Sequence, residues 1–114
     1  MNNMNFDWAE TMQCAVTVCD EQGVVIYMNE RSRATFSKSG ESMVGKSMLP
    51  CHNERSQAII HKMLDEGVTN CYTIDKKGVR KLIYQTPWKK EDGTVGGLVE
   101  ISIVLPDELP NYAR

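Results

Sequence analysis

Cys51 and His52 stand side by side in the stretch MLPCHNERS, residues 48–56, the one place in the chain where two good metal or redox ligands adjoin. A helical pattern begins at Asn53, so both precede a helix N-terminus, where free N–H groups and the helix dipole carry partial positive charge. Such a field lowers the pKa of a thiol and favours neutral imidazole, the form that binds metal. Three chemistries fit: a haem ligand, a metal clip or an oxidisable thiol. Successive side chains diverge, so one of the pair, not both, is expected to face the interior. The plain alternative is that Cys51 fills a small core space while His52 bonds a loop carbonyl. His61, the other histidine, sits about 100° around the helix from Ile60, off the apolar stripe, and is the weaker candidate.

Other chemistry finds no support. The chain has no Ser-His-Asp set, no HExxH and no phosphate-binding glycine loop, and the GxxG of Gly93 to Gly96 belongs to a turn. A nucleophilic Cys51 with His52 as its base has poor geometry, because a base normally approaches from elsewhere in the fold. A non-enzymatic module is therefore expected. The length of 114 residues suits one domain, and 13 Lys+Arg against 15 Asp+Glu lacks the basic excess of a nucleic-acid binder. No apolar run approaches a membrane span, and the start MNNMNFDWAE carries no secretory leader. Cys14, Cys19, Cys51 and Cys71 form no CxxC pair, and reduced thiols in a cytoplasmic protein are the expectation.

The elements that must position these residues follow from periodicity. Phe6 to Gln13 suits a short helix capped by Asn5, and residues 14–20 and 24–29 suit two strands joined by a Gly23 turn. Glu30 to Phe36 is a short helix, and 37–47 is rich in turn residues. Ser56, Ile59, Ile60, Met63 and Leu64 make one apolar stripe on a helix that Asn53 caps and Gly67 ends. Strands at 69–75, 79–88 and 95–105 follow, joined by Lys77-Gly78 and Glu91-Asp92-Gly93. In the last, Val99, Ile101, Ile103 and Leu105 alternate with Glu100 and Ser102, which predicts one buried face. Antiparallel pairs at both ends with helices between describe an α+β domain, helices on one face of a sheet.

This order, with AVTVCDEQGVVIYMNERSRATF, the SMVGKS loop, a helix ending LDEG and the closing EDGTVGGLVEISIV, resembles a PAS domain over about residues 8 to 105. Asn29 occupies the family's Asn position after the second strand. A narrower likeness goes to PAS domains that accompany DUF438-type and hemerythrin-like regions, carried by Gly45, Lys46, Cys51, His52, Ser56, Lys77, Gly78 and Tyr84. The resemblance implies a profilin-like fold: a five-stranded antiparallel sheet cupping a small cavity under its helices. It also implies a sensor of ligands, redox state or light, of the kind used in two-component signalling, or a dimerisation module. Light-sensing relatives carry a cysteine where this chain has Met48, so flavin-adduct photochemistry is not expected. Haem bound through His52 remains open.

The expected division is an N-terminal helix at 1–13, the PAS domain at 14–105 and a tail at 106–114. Expected cavity residues are His52, Cys51, Met48, Ser56, Ile60 and Tyr84, with His52 as the candidate metal ligand. Phe6, Ala9 and Met12, with Trp8 beside them, are too apolar for a free helix and suggest a homodimer. Pro106 and Pro110 interrupt any continuing helix, and if the gene ends here the expectation is a stand-alone module whose output runs through contacts with a signalling protein; an excised domain is the alternative. Three functions stay open: a ligand-responsive sensor, an empty interaction scaffold and a thiol redox sensor at Cys51.

Overall fold

β-Branched residues at Val16, Thr17 and Val18 favour the extended chain of β1 (Ala15–Asp20). Its exit is built by Asp20, whose carboxylate accepts hydrogen bonds from the backbone N–H groups of Gln22 and Val24 at 2.9 and 3.0 Å. Gly23 completes that turn at φ 81, and the chain returns as β2 (Val25–Met28). These features come from a computed structural model that describes residues 5–36, 43–47 and 54–114. Before β1 lies α1 (Asp7–Glu10). After β2 come α2 (Glu30–Phe36) and α3 (Glu54–Glu66), then β3 (Asn70–Lys76), β4 (Val79–Lys89) and β5 (Val95–Val104).

The sheet runs β2-β1-β5-β4-β3, and every neighbouring pair is antiparallel. Lys77 (φ 52) and Gly78 (φ 78) make the two-residue turn from β3 to β4, the backbone geometry that matches strand twist. Gly67, at φ 71, ends α3 and donates its N–H to the Met63 carbonyl at 2.9 Å. The Gly45-Lys46 loop covers the β2 edge: Gly45 N donates to the Val25 carbonyl, and Val25 N donates to that of Lys46. Among the described residues, no helix is long and apolar enough to cross a membrane.

Apolar residues gather on both faces of the sheet. On the inner face Ile60 and Met63 of α3 pack on Cys19 and Leu98, with Leu64 beside them. On the outer face Ala9 of α1 packs on Val16 and Val18, flanked by Phe6, Tyr27, Trp88, Val99 and Ile101. Thus α2 and α3 share one face and α1 closes the other.

Three details depart from the sequence reading. Helix α1 stops at Glu10, because the chain turns into β1 and the Cys14 carbonyl is held by Asn29. Phe6, not Asn5, occupies the N-cap position, although Asn5 Oδ1 still accepts the Asp7 N–H at 2.9 Å. The polar side of β5 is not its solvent side: Ser102 is buried, while Ile103 on the opposite side is exposed. The Asn53 cap lies outside the described residues.

Candidate ligand cleft

Strand alternation decides which side chains reach the space beneath α3. The register sets Asn70 of β3 opposite Gln85 of β4, Gln85 opposite Glu100 of β5, and Glu100 opposite Thr17 of β1. The result is a polar row across the inner face. Asn70 Nδ2 donates to Gln85 Oε1 at 3.1 Å, and Gln85 Nε2 donates to Glu100 Oε1 at 3.4 Å. At the far end the Thr17 and Ser32 hydroxyls share a hydrogen bond of 2.5 Å. Ser32 N donates to Asn29 Oδ1, which ties the row to a fully buried side-chain amide.

Two adjoining spaces lie on this row. One is an inner pocket of about 20 Å³ whose walls include Thr17, Cys19, Ile60, Met63, Gln85 and Glu100. That is room for one water-sized group. The other is an open cleft of about 470 Å³ between Arg55, Ser56, Ile59 and Ile60 of α3 and a floor of Asn70, Tyr72 and Gln85. Ile60 and Gln85 line both spaces. The cleft falls within the size range of small-molecule sites, and it sets Ile59 and Ile60 of the helix beside convergent polar groups.

Burial governs the chemistry here. Desolvation pushes the Cys19 thiol up to about 11, helped by the charges of Asp20 and Glu100, so it is neutral and inert at ordinary pH. Tyr72 is likewise raised, first by desolvation and then by the nearby Glu100 charge, while its hydrogen bond with Gln85 acts in the opposite direction. It therefore serves the cleft as a neutral hydroxyl. The half-buried Glu100 brings a carboxylate to the inner pocket, and the exposed Arg55, in no ion pair among the described residues, brings a guanidinium-bearing side chain to the cleft.

Of the residues singled out from the sequence, Ser56 and Ile60 line the cleft together. Tyr84 does not join them. Its cross-strand partner Ile101 belongs to the outer cluster, and the ring is 39% exposed on that side, because neighbouring Gln85 takes the inner position. Met48, Cys51 and His52 lie outside the described residues. His61 is exposed and lines neither space, so it offers no axial ligand to a haem seated there. Among the described residues, no three His, Cys, Asp or Glu side chains cluster as a metal site. Trp88 sits on the outer face over Gly96 and Gly97, its indole N–H donating to the Cys19 carbonyl at 3.0 Å.

Asn70, Gln85, Glu100 and Thr17 are the residues that sequence reasoning passed over. Their signal was present in β5, where Glu100 and Ser102 alternate with apolar residues. It was assigned to solvent because a single strand does not reveal which side the helices cover.

This is the architecture of a sensory domain: a five-stranded antiparallel sheet with a recess beneath its helices. Residues 9–107 match the family model described as the PAS fold, and the chain belongs to that family. Solved structures agree at the level of fold. A sensory box sensor histidine kinase from Vibrio cholerae superposes with a TM-score of 0.65 at 17% identity, with 88% of each chain covered. The PAS domain of BvgS from Bordetella pertussis gives 0.67 at 14% identity, covering 88% of this chain and 82% of that one. VqmA bound to DPO gives 0.66 at 16% identity, covering 84% of this chain and 54% of VqmA. Among curated proteins, none matches the chain by sequence.

Proposed function

We propose that this chain is a non-enzymatic sensory module that takes a small ligand in the cleft beneath α3 and signals through protein contacts. The observation that carries the reading is the hydrogen-bonded row of Asn70, Gln85 and Glu100, which runs from the cleft floor into the inner pocket beneath Ile59 and Ile60 of α3. A floor needed only for stability would be apolar, because polar groups in a core gain little and cost much when unpaired. That VqmA, with the same fold, is described bound to DPO supports ligand binding as a use of this architecture.

Ligand entry would press on α3, which rests on the sheet through Ile60 and Met63. Output is assigned to the outer face. Trp8 of α1 is 63% exposed beside the fully buried Ala9, which suits a homodimer built on the N-terminal helix. The free thiols of Cys14, Cys19 and Cys71 suit a reducing cytoplasm.

The test is thermal unfolding of the full chain with a metabolite collection and, separately, with haemin. Wild type should gain melting temperature with at least one small metabolite, and Ile59→Trp, which fills the cleft from its exposed wall and leaves the buried Ile60 contacts in place, should gain none. If nothing binds in either form, the small size of the inner pocket favours the contact-only scaffold. Haemin binding with a Soret band lost in His52→Ala would make the ligand haem instead.

A further inference from the structure

The two edges of the sheet differ. At β2 the Gly45-Lys46 loop covers the edge, and both backbone groups of Val25 bond to it. At β3 the opposite edge lies open: residues 71–76 are exposed, and among the described residues the strand pairs with β4 alone. Arg80 shows which backbone groups face outward. It stands opposite Asp75, yet its carbonyl accepts Leu105 N at 2.9 Å, on the β5 side. Asp75 therefore holds a non-hydrogen-bonded position toward β4, and alternation gives Thr73 and Cys71 the same standing. The N–H and C=O groups of Cys71, Thr73 and Asp75 point out of the sheet.

We infer that a second copy of this chain pairs antiparallel on the β3 edge, about a two-fold axis at Thr73. A seven-residue edge strand with a continuous register and no proline is a template for another chain. Its side chains select a copy of itself, in one direction. About that axis Tyr72 of one copy lies opposite Ile74 of the other, Cys71 opposite Asp75, Asn70 opposite Lys76, and Thr73 opposite Thr73. Aromatic–β-branched and Thr–Thr pairs are stabilising across strands. The exposed Tyr72 and Ile74 thereby cover each other. Asp75 and Lys76 both sit at one end of β3, so antiparallel pairing keeps each away from its twin. Parallel pairing in register would set Asp75 on Asp75 and Lys76 on Lys76, and like charges directly opposite destabilise. The contact is separate from α1, which packs over β1 on the outer face. A strand edge buries far less than a standard interface, so the pairing is weak and shows at high chain concentration.

Sedimentation equilibrium on the full chain carrying Trp8→Glu, which takes α1 out of any contact, reads the edge by itself. At concentrations above those of ordinary light scattering, the mass should rise from that of a monomer toward that of a dimer. Thr73→Pro removes an outward N–H and leaves the β3–β4 ladder its donors, whereas Thr73→Lys opposes ammonium groups at the axis. Each should weaken association roughly 10-fold or more, the scale of a lost hydrogen-bonded pair, with the melting temperature unchanged. Cross-linking reads the register directly. Opposed Cα atoms at the axis lie about 5.5 Å apart, within disulfide reach. In a Cys71→Ser parent, Thr73→Cys should give a disulfide dimer under mild oxidation, and Lys76→Cys, at the strand end, should give none. A mass that stays monomeric at every concentration overturns the inference and leaves the edge to a strand of another protein. Association that Thr73→Pro and Thr73→Lys leave intact overturns it too. So does cross-linking as ready at Lys76→Cys as at Thr73→Cys, the mark of parallel pairing.

Discussion

Asn29 does more for this fold than any residue of the cleft. It is fully buried, and all its hydrogen-bonding capacity toward the protein is used. Its Oδ1 accepts from Val16 N and Ser32 N at 2.9 Å each, and its Nδ2 donates to the Ala9 and Cys14 carbonyls at 2.9 and 2.8 Å. One amide thus joins α1, β1 and α2. Asn29→Ala strands two N–H groups and two carbonyls, and should cost about 3 kcal/mol or more, read as a fall in urea midpoint. A loss below about 1 kcal/mol would mean that water replaces the amide, the cheap outcome for a site solvent can reach.

At the scale of elements, two devices fix how the helices sit. The first is a clamp across the β2 edge. Arg33 of α2 bonds Glu10 of α1 at 2.6 Å and the Met28 carbonyl at 2.6 Å, and the Tyr27 hydroxyl donates to Glu10 at 2.7 Å beneath a Phe6–Tyr27 stack. The hydrogen bonds from Arg33 and Tyr27 hold the Glu10 carboxyl below the usual carboxylate range. A depressed folded pKa contributes stability that is present above the unfolded value and lost as pH falls through the folded one. The stability difference between wild type and Glu10→Gln should therefore be full at neutral pH and shrink on acidification below the ordinary carboxylate range. A difference that stays constant with pH would remove the charge from the account. The effect is small in any case, because both partners are partly exposed.

The second device is the close approach of β5 to β1 beneath Trp88. A Cβ added at Gly97 would lie 1.9 Å from the Cys19 carbonyl and 2.7 Å from the indole nitrogen. Gly97→Ala should cost about 3 kcal/mol, the upper end of overpacking. Gly78→Ala, with open space around its Cβ but φ at 78, should cost only about 1 kcal/mol. Urea titration of the two variants checks the ranking, and the reverse order would locate the constraint in the hairpin.

On the scale of the whole molecule, the two faces of the sheet are built differently. The inner face carries the cleft; the outer carries α1 and a run of exposed apolar groups including Trp8, Tyr84 and Ile103. If dimerisation runs through α1, Trp8→Glu should convert a dimeric mass to a monomeric one in light scattering without lowering the melting temperature, since the indole touches solvent more than core. An unchanged mass, or a wild type that is already monomeric, would remove the N-terminal helix from the interface.

The element order of this domain was legible in its sequence for local reasons. The Asp20 turn, the Lys77-Gly78 hairpin and the Gly67 helix end each depend on a few consecutive residues with strong conformational preferences. The spacing of Ile60 and Met63 likewise marked the buried stripe of α3 before any partner was known. The cleft was another matter. Asn70 and Gln85, like Gln85 and Glu100, lie 15 residues apart and meet only through long-range register. Alternation in β4 separates Tyr84 from Gln85 but cannot say which of them faces α3, because period alone is symmetric between the two sides of a sheet. That choice belongs to tertiary structure: α3 crosses one face, α1 closes the other, and the polar row becomes the floor of a cleft instead of a solvated surface.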